Sequence, residues 1–133
     1  MTTYYNTGLD ATSPSRSYDF KTFRETVPLS YAQVGSLGQS GLLTKEVDRI
    51  VHWSVTNTAE TGGPILYQAQ LLGHSSSTTN NTKLIVNIYV KPLETVVIAK
   101  ECQPFYIMLG SLYHKSSVTG NLRATFSYQE FEL

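Results

Sequence analysis

From Val47 onward the chain alternates apolar and polar residues with a period of two, and it nowhere sustains the spacing of a long amphipathic helix. In the first such run Val51, Trp53 and Val55 share one face, with His52, Ser54 and Thr56 on the other. Turn chemistry at Asn57 to Pro64 ends it, and Ile65, Tyr67, Ala69 and Leu71 form the apolar face of a second run. Gly73 and the polar stretch Ser75 to Thr82 follow as a loop. Leu84, Val86, Ile88 and Val90 are then expected to face the core, until Pro92, which lacks an amide hydrogen, stops the ladder. Shorter runs over 95–99, 105–109 and 112–116 precede the clearest alternation of all. There Leu122, Ala124, Phe126 and Tyr128 lie on one side, and Arg123, Thr125, Ser127 and Gln129 on the other. Closely spaced strands with no helices between them predict an all-β fold, an antiparallel β-sandwich with the jelly roll as one form of it. A single helical turn is expected near Leu42 to Val47, with Thr44 as its cap.

Residues 1–43 break this rhythm. Their apolar positions are scattered, Pro14 and Pro28 interrupt them, and Gly35, Gly38 and Gly41 close the segment. The segment is expected to be an extended N-terminal arm on a sandwich domain spanning 44–133, with short strands around Arg24 to Val27 and Tyr31 to Val34. Tyr4, Tyr5, Leu9, Tyr18, Phe20, Phe23, Leu29 and Tyr31 are too many large apolar residues for a solvated tail. They are the candidate partner-binding residues, and the surface they need is the chain's own sandwich, a neighbouring copy or a different protein.

Composition narrows the function classes. At 133 residues the chain suits one domain, which should bury roughly two-thirds of its unfolded surface without help from disulfides or metals. Only 15% of residues are charged; 30 serines and threonines supply the remaining polarity. Ten basic residues balance ten acidic ones, so nucleic acid and polybasic membrane contact are not expected. One cysteine, Cys102, cannot close an intrachain disulfide. Met1 reads as the native start; neither a signal peptide nor a run of ~20 apolar residues is visible. Asn80-Asn81-Thr82 matches a glycosylation tripeptide but reads as a polar loop in a chain without a secretory signal.

Chemistry-bearing residues are dispersed. His52, His74 and His114 have no metal-ligand spacing. Cys102 has Lys100 and Glu101 nearby, whose charges act in opposite directions on a thiol. The run Gly35 to Gly41 lacks the lysine and following helix of a phosphate loop and reads as a hinge. Glu94, Glu101, Glu130 and Glu132 offer no evident catalytic pair, and Trp53, flanked by Val51 and Val55, belongs to the core. No catalytic, metal or cofactor-binding residue is assigned, and the chain is not expected to be an enzyme.

The strand Ile50 to Thr56 ending in Asn57-Thr58, the strand Leu84 to Val90 and the sequence Lys91-Pro92-Leu93-Glu94-Thr95 form one part of a wider pattern. The step Gly110-Ser111-Leu112-Tyr113 and the final strand Asn121 to Phe131 complete it. Over residues 47–133 the pattern resembles the small β-sandwich proteins of bacteriophage virions: capsid decoration or cement proteins, head fibres and tail-tip modules. Members of that class often carry Gly-Asp where this chain has Gly110-Ser111. The resemblance implies a structural virion protein, first of all a capsid cement or decoration protein clamping neighbouring subunits. Its partners would be the major capsid protein or other virion proteins, and it would be a homo-oligomer with a trimer favoured. The alternative is a tail fibre, spike or head-fibre module that binds host-surface glycan through exposed tyrosines and the Ser75 to Thr82 loop.

Overall fold

The computed structural model describes residues 20–35, 46–73, 81–108 and 110–132. Nine strands run through them: β1 (Lys21–Thr26), β2 (Ala32–Gln33), β3 (Glu46–Asn57), β4 (Ile65–Gly73), β5 (Asn81–Val90), β6 (Thr95–Ala99), β7 (Phe105–Met108), β8 (Gly110–Ser116) and β9 (Leu122–Glu132). Among the described residues there is no helix. The expected helical turn is corrected where it can be seen, because Glu46 and Val47 already belong to β3; residues 42–45 lie outside the described part.

All pairings are antiparallel. One sheet has the order β1-β9-β3-β6, with β7 also paired to β3, and the other has the order β2-β8-β4-β5. The two inner faces close on Trp53, Tyr67, Phe126, Ile50, Val55, Leu112 and Leu122, all fully buried. The chain is therefore the antiparallel two-sheet fold that its alternation predicts.

An aromatic row braces the first sheet. Phe23 and Trp53 are the cross-strand partners of Phe126 on either side. Both rings stack on it, with centroids 5.2 and 5.3 Å away. Phe105 continues the row at 5.8 Å from Trp53. Such pairs add ~0.5–1.5 kcal/mol each beyond the area they bury.

Three β-bulges decide which residues face inward. The β9–β3 register slips between Ser127 and Tyr128, so that Val51 is the extra residue and Ile50 joins Trp53 and Val55 in the core. A second slip makes Ile98 the extra residue of β6. The third falls in β5, where Ala69 faces Val86 but Gln70 faces Leu84, leaving Ile85 extra. It overturns one expectation: Val86 and Val90 are buried as anticipated, whereas Leu84 is 50% exposed. One inserted residue inverts the alternation beyond it, which a period of two read along a single strand does not reveal.

Residues 21–34 are part of the sandwich rather than an arm outside it. β1 pairs with β9 over six rungs. Val27 N–H then donates to Leu122 O, Ser116 N–H to Pro28 O and Val34 N–H to Leu112 O, each at 2.8 Å, which carries the chain from the first sheet to the second. Val27 and Val34 are buried where this crossing closes the open side of the core. Gly35 ends it at φ 48°, and a Cβ there would meet the Phe23 ring at 2.9 Å.

Phe126→Ala is expected to lower unfolding free energy by about 3–5 kcal/mol, and Leu84→Ser to change it by no more than about 0.5 kcal/mol. Urea titration measures both, and a large loss at Leu84 would place that residue in the core and remove the β5 bulge.

Candidate functional site

The candidate partner-binding residues divide into three sets. Tyr4, Tyr5, Leu9 and Tyr18 lie outside the described residues. Phe23 is committed to the protein's own core by its stacking on Phe126 and its edge contact with Tyr128. Phe20, just before β1, and Leu29, in the crossing segment, are each 56% exposed. Tyr31 is half-buried in the same crossing, with Lys115 Nζ 4.9 Å from its ring centroid. The structure thus leaves Phe20 and Leu29 exposed at the two ends of one peripheral stretch, which runs through edge strand β1 into the closure of the sandwich.

Beneath that stretch lies a buried polar chain that links both sheets. The indole of Trp53 can only donate, and its Nε1–H points to the Tyr67 hydroxyl at 3.3 Å. The Tyr67 hydroxyl in turn shares a hydrogen bond with His114 Nδ1 at 2.9 Å. The other ring nitrogen, Nε2, is hydrogen-bonded to Glu25 Oε2 at 2.6 Å. The donor-only indole fixes the direction of the first of these bonds. Trp53 and Glu25 come from the first sheet, Tyr67 and His114 from the second. Burial pushes the Tyr67 hydroxyl far above the usual tyrosine range, so it stays protonated at any ordinary pH.

Small neighbours make room for this chain. His114 faces Ala69 on β4 and Ala32 on β2, so the imidazole lies between two methyl side chains. An acid, an imidazole and a hydroxyl in series resemble a proton relay. Here the hydroxyl end is enclosed, with Tyr67, His114 and Trp53 all fully buried and only Glu25 reaching partial exposure. Its accessible chemistry is that of a cross-sheet tie. Sequence reasoning missed it because Glu25, Tyr67 and His114 stand 47 to 89 positions apart where they meet.

A second tie sits at the opposite end of β3. Asn57, fully buried, donates from Nδ2 to Val90 O at 3.0 Å and accepts Ala59 N–H on Oδ1 at 3.0 Å. The other sequence candidates are separated from one another. His52 shares a hydrogen bond with Ser54 Oγ, Cys102 is exposed in the β6–β7 turn, and Glu94 accepts the Lys91 N–H. Glu130 pairs with Lys21, while His74 lies outside the described residues. Among the described residues no group of three or more His, Cys, Asp or Glu side chains could hold a metal ion.

No protein-family model matches the chain, and no curated protein matches it significantly. Its structure is similar to one from "Bacillus endospore appendages form a novel family of disulfide-linked pili" at TM-score 0.44 and 9% identity, covering 86% of each chain. It is also similar to one from "Crystal structure of the T13 IBDV viral particle reveals a missing link in icosahedral viruses evolution", at TM-score 0.36 and 11% identity. That match covers 84% of this chain and 30% of the other. Both similarities are remote, and no role is carried over from either.

Tyr67→Phe removes the central hydroxyl, orphaning the Trp53 N–H and His114 Nδ1; each buried orphan costs about 1–3 kcal/mol. Glu25→Gln keeps an acceptor at the partly exposed end and is expected to cost about 1 kcal/mol. Chemical denaturation of both variants checks this order, and a Tyr67→Phe protein as stable as the parent would dissolve the hydrogen-bonded chain.

Proposed function

We propose that this protein is a structural component of a virion, a capsid cement or decoration protein that stabilises the shell by clamping neighbouring subunits. The observation that carries this reading is the pair of exposed large apolar residues, Phe20 and Leu29, flanking the edge strand where residues 1–19 join the sandwich. Those preceding residues bring Tyr4, Tyr5, Leu9 and Tyr18 to the same place in the chain. In this reading the adhesive segment is residues 1–20 together with Leu29 and the open side of Tyr31, and Phe23 acts by holding β1 in place. Each Tyr, Phe or Leu that becomes buried on a neighbour contributes about 1.5–3 kcal/mol before ordering entropy is subtracted. The partners are the major capsid protein or another virion protein and further copies of this chain, a trimer being the favoured form. The enclosed hydroxyl of the interior supports an inert scaffold rather than a catalyst.

A second reading, a fibre or spike module for host glycan, draws on Tyr89 and Tyr106, which are 67% and 54% exposed on β5 and β7. Aromatic rings with a polar tip suit sugar faces.

The full-length variant Tyr4→Ser/Tyr5→Ser/Tyr18→Ser/Phe20→Ser is expected to co-sediment with particles at least about tenfold more weakly than the parent, since several buried rings are lost together. Unchanged co-sedimentation by the folded variant would end the clamp reading. Glycan-array binding that disappears in Tyr89→Ala would establish the second reading in its place.

A further inference from the structure

The outer face of the first sheet carries a groove of about 260 Å³ lined by Arg24, Arg123, Thr56, Thr58 and Thr125. Strand register builds it. On one rung Arg123 of β9 stands between Thr26 of β1 and Thr56 of β3, and on the next outward rung Thr125 stands between Arg24 and Ser54. The two arginines are therefore diagonal neighbours on one face. These six outward positions hold four hydroxyls and two guanidinium groups, with no carboxylate and no apolar side chain. Glu25, next to Arg24 in the chain, faces the other way, and its carboxylate is engaged by His114 beneath the sheet.

Neither guanidinium forms an ion pair among the described residues. Lys21, by contrast, is bonded to Glu130, and Arg49 donates to Gln129 Oε1 and Tyr106 OH. Arg24 uses one donor, Nε–H, on Thr125 Oγ1 at 3.4 Å, which leaves the N–H groups of its two terminal nitrogens for a ligand. Two cations side by side without a counter-charge repel each other. An oxyanion shared between them removes that repulsion and takes charge-assisted hydrogen bonds from both forks. The walls suit the rest of such a ligand. A hydroxyl has one donor and two acceptor sites. Thr56 Oγ1 and Thr95 Oγ1 share one bond at 2.7 Å, Thr58 Oγ1 donates to Asn121 O at 3.1 Å, and Thr125 Oγ1 accepts from Arg24. These bonds hold the hydroxyls in place and leave open one hydrogen of the Thr56–Thr95 pair, the Thr125 hydrogen and the Thr58 lone pairs. Thr22 and Ser127, 2.9 Å apart, continue the hydroxyl face one rung further. Donors and acceptors presented together match alcohol groups, which are themselves both.

We infer that this groove binds an acidic polysaccharide, with one singly charged oxyanion of the polymer between Arg24 and Arg123 and the adjoining sugar hydroxyls on the threonines. That oxyanion is the chemistry shared by a hexuronate carboxylate and a polyol phosphodiester. The groove is smaller than the roughly 300–1,000 Å³ of pockets that enclose a whole small ligand, and it lies on an exposed sheet face, so it takes one unit of a longer molecule. Nucleic acid calls for more than two cations, because its affinity comes from neutralising many phosphates. A protein partner calls for an apolar or aromatic anchor, and the groove contains none. The site lies apart from the clamp, which uses residues 1–20 and Leu29, and it uses neither Tyr89 nor Tyr106.

Isothermal titration calorimetry of the full chain with polygalacturonate, poly(glycerol phosphate) and dextran tests this. At least one of the two acidic polymers is expected to bind, more weakly as salt rises, and dextran is expected not to bind. Heat with polygalacturonate assigns the carboxylate as the source of the oxyanion, and heat with poly(glycerol phosphate) assigns the phosphodiester. Arg24→Gln/Arg123→Gln is expected to weaken binding at least about tenfold. Arg24→Lys/Arg123→Lys, which keeps the charge and loses the fork, is expected to weaken it about threefold. Urea midpoints confirm folding, and Arg123→Gln alone, with an expected loss of about threefold, replaces the double variant if that one fails to fold. Absence of binding to both acidic polymers, equal binding of dextran, or an arginine variant that binds like the parent would overturn the inference. Inorganic phosphate bound as tightly as the polymers would overturn it equally, since the hydroxyl walls would then contribute nothing. The Tyr4→Ser/Tyr5→Ser/Tyr18→Ser/Phe20→Ser protein is expected to keep polymer binding, so the clamp and the groove stand or fall separately.

Discussion

Burying the Trp53 indole N–H is the constraint on which the sandwich turns. An indole can only donate, and Trp53 is enclosed beside Phe126 in the middle of the first sheet, so its hydrogen must find an acceptor on the facing sheet. Tyr67 supplies one, and hydrogen bonds continue from its hydroxyl through both ring nitrogens of His114 to Glu25. The series that begins at this donor thus ends on an acid of another strand. The apolar faces alone would tolerate small shifts of one sheet over the other. A fully satisfied polar chain through the interface does not, because any shift strands a buried donor or acceptor.

The same chain explains why the edge strand β1 is held firmly. Its Glu25 ends the polar series, its Phe23 ends the aromatic row, and Val27 and Val34 plug the side of the core as the polypeptide crosses between sheets. Backbone pairing on one side only would leave an edge strand marginal; these side-chain anchors compensate. An edge fixed in this way is a sound base for an adhesive segment, because pulling on that segment loads the core of the sandwich. Lys21 and Arg24 also discourage indiscriminate strand addition along the open backbone edge, as charges on an edge strand do elsewhere.

Charge is distributed by the same strand geometry. On β9, residues 123, 125 and 127 face outward while 122, 124, 126 and 128 fill the core, so Arg123 is set on the open face by parity alone. Nearer the other end of β9, Glu130 stands opposite Asp48 on β3 and is bonded to Lys21 of β1.

The strands from Ile50 to Thr56, Ile65 to Leu72 and Leu122 to Phe131, the two-sheet architecture and the burial of Trp53 were legible in the linear order of residues. Alternation with a period of two is a local property and burial follows from it. The arm was read only in part. Tyr31 to Val34 and Arg24 to Val27 showed as short strands, yet their incorporation into the sandwich depends on bonds to Leu122, Leu112 and Ser116, 78 to 95 positions away. Leu84 escaped because a bulge at Ile85 depends on how β4 and β5 settle against each other, not on either strand by itself. The buried Glu25–His114–Tyr67–Trp53 series and the Arg24–Arg123 groove were invisible for the same reason. Each joins residues that only strand pairing and sheet stacking bring together, and no spacing rule along the chain encodes which rung of one strand faces which rung of another. Local patterning determined the class of fold and the inward faces of its strands; registry between distant segments, set by the demand that buried polar groups be satisfied, decided where the charges and ties would lie.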